Sequence, residues 1–183
     1  MANNSGKAGI INITEAIDNS QVRSFQVGVF ILCGLCLIMD GFDVQSWGFV
    51  APALFTEWGI ASAAGRVASV TLIGVMIGSL LFSMLADKIG RRPVLIGSTL
   101  YFSALTLLTA RVSNLEQLLF IRFIAGLGLG AIMPNAVALV GEYSPKRSRV
   151  TAMLVVSNGF TIGAAVAGFV ATYLIPRFGW RSV

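Results

Sequence analysis

Five apolar runs divide the chain, at about 25–55, 62–86, 93–110, 115–141 and 150–175, with short charge-bearing segments between them. Each run reaches or nearly reaches the ~20 residues that a helix needs to cross hydrocarbon. Strands of a membrane β-barrel would instead be ~10 residues of alternating polarity, and none of the runs alternates. The pattern predicts an all-α membrane protein with one transmembrane bundle over residues 23–183. Because the connections are short, consecutive helices are expected to be antiparallel neighbours. Residues 1–22 are polar and carry Glu15 and Asp18. They lack the short apolar core and small-residue cleavage site of a signal peptide. They read as a cytoplasmic tail with a short surface helix around 11–17.

Composition supports the same class. The chain is 56% hydrophobic and only 11% charged, where a soluble domain is nearer a quarter charged. Its net charge of +5 does not point to nucleic acid, because the basic residues sit in short loops between apolar runs. There is no histidine, which removes Ser-His-Asp and Cys-His catalysis and His-ligated zinc or haem. Neither an enzyme nor a metal site is expected. Cys33 and Cys36 have CxxC spacing, but they lie inside the first run, away from any βαβ pattern, and read as small buried helix residues. Lys7, Arg23, Lys88, Arg91, Arg92, Lys146, Arg147 and Arg149 fall on one side of the predicted bundle. Arg66, Arg111, Arg177 and Arg181 fall on the other. The richer side is cytoplasmic by the positive-inside rule, which puts the N-terminus inside and residue 183 outside. Gly179-Trp180-Arg181-Ser182-Val183 reads as the approach to a sixth helix, so the chain is expected to be part of something longer.

Few polar residues interrupt the runs. Asp40 and Asp43 lie near the middle of the first, and an intramembrane carboxylate is by default a candidate functional group. At ~100° per residue, Asp40, Asp43 and Trp47 share one helix face. Gly41 and Gly48 permit close approach of a helix or a ligand. Arg122 lies in the fourth run, followed by Gly126 and Gly130, then Pro134 and Asn135, with Glu142 at the run's end. Pro134 removes a backbone hydrogen bond and is a candidate kink. Gly74 with Gly78, and Gly159 with Gly163 and then Gly168, read as helix-packing positions. The two Asp have a structural reading as well: pairing with basic residues on other helices to hold the bundle together.

The segment Ser83-Met84-Leu85-Ala86-Asp87-Lys88-Ile89-Gly90-Arg91-Arg92-Pro93 resembles the signature loop between helices two and three of the major facilitator superfamily. One position departs, since Ser83 stands where the family usually has Gly. Arg122 with Gly126, Gly128 and Gly130 resembles a second motif of that superfamily, found in proton-coupled members. Asp40-Gly41-Phe42-Asp43 followed by Gly48-Phe49-Val50-Ala51-Pro52 resembles the narrower aromatic acid:proton symporter family. So do Met133-Pro134-Asn135-Ala136 leading to Glu142-Tyr143-Ser144-Pro145-Lys146-Arg147, and Gly159-Phe160-Thr161 leading to Phe178-Gly179-Trp180-Arg181. Drug-antiporter members carry Gly-Pro in the fifth helix, where this chain has Gly163-Ala164.

The resemblance implies the N-terminal bundle of a twelve-helix transporter, about five helices of it. Its substrate would be a small organic anion, most plausibly an aromatic acid of the benzoate or hydroxybenzoate type. It would sit in the inner membrane, without a cofactor, and be driven by the proton gradient. Its partners would be the lipid bilayer and the C-terminal half. Such halves consist of inverted three-helix repeats with the substrate near the midplane, which makes the first and fourth helices counterparts. Counted from their outer ends, Asp43 lies ~18 Å deep and Arg122 ~12 Å deep, an offset that an arginine side chain can span. On this basis Asp40 and Asp43 are the proton-coupling candidates. Arg122, Phe42, Trp47 and Asn135 are the substrate-binding candidates, and Asp87, Gly90, Arg91, Arg92, Glu142 and Arg149 form a cytoplasmic conformational gate. The alternatives are a sugar or other organic-ion porter of the same fold, or a truncated membrane fragment that does not transport.

Overall fold

The structure, a computed structural model, describes residues 24–59 and 63–179. The tail expected at 1–22, residues 60–62 and the segment from Trp180 onward lie outside the described residues. Five helices follow one another: α1 (Ser24–Trp58), α2 (Ala64–Ile89), α3 (Arg91–Thr109), α4 (Leu115–Tyr143) and α5 (Arg149–Phe178). Each predicted run is a helix slightly longer than its run, and α2 is shifted toward the C-terminus. Four of them are long and apolar enough to cross a membrane. The exception is α3, which has 19 residues and several hydroxyls. Three of those hydroxyls are satisfied within the helix: Ser98 and Thr99 donate to the Leu95 carbonyl and Thr109 to that of Leu105. Their presence lowers α3's apolarity while the helix's own carbonyls take up these protons.

Local chemistry explains several boundaries. Asn114 caps α4 by accepting a hydrogen bond from the Gln117 N–H at 3.0 Å. A single residue, Gly90, links α2 to α3. Its φ of 95° lies in the region that glycine tolerates and other residues rarely adopt. Pro93 falls in the first turn of α3, where a missing N–H costs no intrahelical bond. The helices continue through Pro52, Pro134 and Pro176, as membrane helices do when neighbours re-satisfy the freed carbonyls.

Packing does not follow chain order. The expectation that consecutive helices are neighbours holds for α3 and α4 but fails for α1 and α2, which barely touch. The two dominant pairs are α1 with α5 and α2 with α4. Glycines cause this. A methyl group on Gly126 would stand 2.5 Å from the Thr71 carbonyl oxygen, and one on Gly159 would stand 2.8 Å from that of Gly34. Gly78 and Gly130 on one seam, and Gly41 and Gly163 on the other, are pressed harder still against facing backbone. Small residues let helices approach to backbone contact, which lipid-immersed helices need in place of a hydrophobic driving force. Gly48, expected to behave like Gly41, has nothing near its Cβ direction. If α1 and α2 are matched to α4 and α5, the α1·α5 pair maps onto α4·α2, the relation expected of inverted repeats.

The buried residues fall into two clusters. One gathers Cys33 and Leu37 of α1 with Ala125, Leu129 and Ile132 of α4. The other gathers Val50, Leu54 and Phe55 of α1 with Val67 and Leu118. On both α1 and α4, the interval between the clusters holds the charged residues. The outward faces are largely apolar: Leu72, Leu80, Leu107 and Phe169 are all exposed, as lipid contact requires. This is a multi-pass membrane protein.

Candidate functional site

Between the two apolar clusters, α1 presents Asp40, Asp43, Ser46 and Trp47, and α4 presents Arg122. Asp43 and Arg122 are both buried, with Asp43 Oδ2 3.6 Å from Arg122 Nη1. That separation is an ion pair but too long for a hydrogen bond. The other carboxylate oxygen, Oδ1, accepts from Thr106 Oγ1 of α3 at 3.4 Å. The Arg122 guanidinium lies over the Trp47 ring, 3.8 Å from its centroid, within cation–π range. Phe55, two turns further along α1, meets Trp47 edge-on at 6.4 Å. The shared face predicted for Asp43 and Trp47 is therefore the face that meets Arg122.

The cluster is not saturated. Arg122 Nε and Asp43 Oδ2 are buried without a hydrogen-bond partner. A guanidinium offers five donors in a planar fork that matches a carboxylate, and part of that fork is unused. Asp40, one turn from Asp43, is 5% exposed and makes no hydrogen bond or ion pair among the described residues. Asp40, Asp43 and Arg122 are the only charged side chains more than two residues from a helix end among the described helices.

Two predicted substrate residues lie elsewhere. Asn135 is ~20 Å along α4 from Arg122 at 1.5 Å per residue. It is wholly buried, and its Nδ2 donates to the Ala131 carbonyl at 2.8 Å. Its side chain is turned onto its own helix just after Pro134, and its Oδ1 has no partner. Phe42 sits ~100° around α1 from Asp43, with its backbone at the α5 seam beside Gly163. In their place the structure brings Thr106 and Phe55 to the cluster. Thr106 carries no distinguishing signal in the sequence, because a threonine in an apolar run most often bonds its own helix. Phe55 was legible in principle, being eight residues beyond Trp47 on the same face.

At the opposite end of the bundle, Arg91 Nε donates to Glu142 Oε1 at 2.6 Å and Arg91 Nη2 lies 3.6 Å from Asp87 Oδ1. The Gly90 turn thus ties α2, α3 and α4 through one arginine. Arg149 donates to the Ser144 carbonyl at 3.3 and 3.4 Å. Arg92 lines an apolar cleft of about 540 Å³ with Phe25, Leu32, Leu100 and Tyr143. None of the midspan charges lines that cleft.

The described residues thus form a membrane-helix bundle with inverted pairing, a midspan Asp–Arg pair and a charged turn after its second helix. The chain belongs to the Major Facilitator Superfamily, whose family model matches residues 33–183. Its relatives are specific. It is 41% identical over 182 residues to the 4-hydroxybenzoate transporter PcaK of Pseudomonas putida, a match covering 99% of this chain and 40% of the relative. It is 39% identical over 174 residues to the gallate transporter of Pseudomonas putida, covering 94% of this chain and 39% of the relative. It is 36% identical over 177 residues to the benzoate transport protein of Acinetobacter baylyi, covering 93% and 38%. The chain spans about 40% of the length of the relatives it matches.

Proposed function

We propose that this chain is the N-terminal part of a secondary active transporter that carries an aromatic carboxylate together with a proton across the cytoplasmic membrane. Its N-terminus is inside, and a C-terminal half supplies the other wall of the substrate cavity. One observation carries the reading: a buried guanidinium, stacked on an indole and paired with one carboxylate, still has a donor free. The substrate carboxylate takes that fork, and Trp47 with Phe55 provides an aromatic wall beside it. The relatives' named substrates, 4-hydroxybenzoate, gallate and benzoate, share a benzene ring bearing a carboxylate, which fits that pairing of groups. Burial favours the neutral form of a carboxyl and a guanidinium favours the ionised form. Asp43 therefore changes protonation as the substrate competes for Arg122, and the proton gradient drives uptake. The Asp87–Arg91–Glu142 network holds the cytoplasmic ends of α2, α3 and α4 together in one of the transporter's states.

The test is uptake of labelled 4-hydroxybenzoate, benzoate and gallate by cells making the full-length transporter. Accumulation above the outside concentration, collapsing on addition of a protonophore, is expected. Accumulation of a sugar without any of these acids would replace this reading with that of a sugar porter.

A further inference from the structure

Two buried polar side chains take no part in the midspan cluster: Ser98 of α3 and Asn135 of α4. Among the described residues, no other polar side chain outside that cluster is buried more than two residues from a helix end. The seam between α3 and α4 brings them together. At one end of it Arg91 Nε meets Glu142 Oε1 at 2.6 Å. Further along, a methyl group on Gly128 would stand 2.8 Å from the Tyr101 ring and 3.3 Å from Phe102 Cβ. Ser98 lies seven residues after Arg91. Asn135 lies seven before Glu142 and seven after Gly128. Seven residues fall within ~20° of two whole turns, so these positions share the faces that make the contacts. The two helices run antiparallel, and Ser98 and Asn135 therefore stand opposite one another between the two contacts.

Each is turned onto its own helix. Ser98 Oγ donates to the Leu95 carbonyl at 3.1 Å, which also accepts from Thr99 Oγ1 at 2.8 Å. Ser98 can turn away without leaving that carbonyl bare. Asn135 Nδ2 donates to the Ala131 carbonyl at 2.8 Å, and Oδ1 has no partner. A buried acceptor left bare is costly. Between Ala131 and Asn135 lies Pro134, which has no N–H to give to the Gly130 carbonyl. Helices bend at such breaks, and the Asn135 amide is a clasp across this one.

Resting on the function proposed above, we propose that Asn135 is the catch of a hinge in α4 at Pro134. In one state of the transporter its amide clasps the Ala131 carbonyl across the break. In the other, α4 bends at Pro134 and Asn135 Oδ1 accepts the hydroxyl proton of Ser98. The bend carries Glu142 off Arg91, and the Ser98–Asn135 bond keeps α3 on α4 while that outer tie is open. One amide with two alternative partners makes the element bistable, and any ligand that favours one shape of α4 shifts the balance between them. Asn135 is thus a positioning residue that touches no substrate.

The experiment uses the full-length transporter and two readouts. The first is the kinetics of 4-hydroxybenzoate uptake per molecule in the membrane. Asn135→Leu can neither clasp nor accept, and Ser98→Ala cannot donate. Each should lower the maximal rate about fivefold, the weight of one neutral hydrogen bond, and leave the half-saturating concentration unchanged. Ser98→Thr keeps the hydroxyl and should restore the rate. The double variant should be no slower than Asn135→Leu. Losses that multiply in the double variant, or an Asn135→Leu change confined to the half-saturating concentration, overturn the proposal. The second readout needs no transport. With the native cysteines replaced, Ser98→Cys and Asn135→Cys together should be joined by a short bifunctional thiol reagent. Cleavage at a protease site placed in the 110–114 loop then leaves the two fragments linked. Fragments that always separate overturn the proposal whatever the uptake shows. If the unaltered transporter takes up no aromatic acid, the proposed function fails, and the cross-link still decides whether Ser98 faces Asn135.

Discussion

Removing the two members of the buried ion pair should have unequal consequences. Asp43→Asn leaves Arg122 inside the bundle with its charge, because a guanidinium cannot shed its proton in a protein. Breaking a buried pair from one side typically costs about 3–5 kcal/mol. Two features of the site reduce that figure. Trp47 at 3.8 Å keeps a cation–π contact, and Asp40, one turn away, can ionise to oppose Arg122. The expected loss is therefore near the lower bound, about 3 kcal/mol, or roughly 100-fold in the folded-to-unfolded ratio. Arg122→Gln leaves two carboxyls instead, and both can take up protons. It forfeits the stacking and some packing and should cost less than about 2 kcal/mol. The double variant removes both charges and should lie within about 1 kcal/mol of Arg122→Gln, a coupling energy of about 2 kcal/mol or more. The assay is thermal unfolding of the purified full-length transporter, backed by its level in the membrane. Equal losses for the two single variants, adding in the double, would refute both the pairing and the asymmetry argued for it.

Gly163→Ala would drive its methyl group into the Ile38 carbonyl oxygen, whereas Gly97→Ala meets open space. Thermal unfolding should show a loss of about 1–3 kcal/mol for the first and no loss for the second. Asp87→Asn touches an exposed pair, worth no more than about 1 kcal/mol, so its thermal midpoint should barely move while uptake falls sharply. Unchanged uptake would make the turn a topology signal only. Cysteines placed at Ser113 and Ser148 should be labelled by a membrane-impermeant reagent from outside at the first position and not at the second. The reverse pattern would overturn the orientation. Thr106→Val should raise the substrate concentration needed for half-maximal uptake and Thr106→Ser should restore it, as uptake kinetics will show.

The helices were legible because a membrane span needs length and apolarity, and both are local properties of a sequence. Arg122 and the Asp40–Asp43–Trp47 face were legible because a charge inside an apolar run stands out and helical spacing then fixes its neighbours. The pairing of α1 with α5 was not, although its glycines were visible. A glycine marks where a helix can be approached but not which helix approaches it. The sequence likewise marks Asn135 as a polar side chain inside a span but not where it turns: its Nδ2 donates to the Ala131 carbonyl and its Oδ1 has no partner. Gly41 and Gly48 look alike in the sequence and differ only in what stands opposite them. The closeness of Asp87, Gly90 and Arg91 was legible because they are neighbours in sequence, whereas Glu142 had to come from elsewhere in the fold.

The seam between α1 and α5 also bears on how the protein is made. α1 is synthesised first and carries both carboxylates, yet neither its main packing partner nor its counter-ion exists at that moment. Arg122 follows Asp43 by about 80 residues, roughly 4–16 s at ~5–20 residues per second of synthesis, and α5 follows later still. During that interval α1 must stay at the translocon or in the bilayer with unpaired acids and a bare glycine face. Its residence there is provisional until α4 and α5 arrive. An early-emerging helix in this state is a natural client for an insertion chaperone, and it is where a slowed ribosome would do most harm.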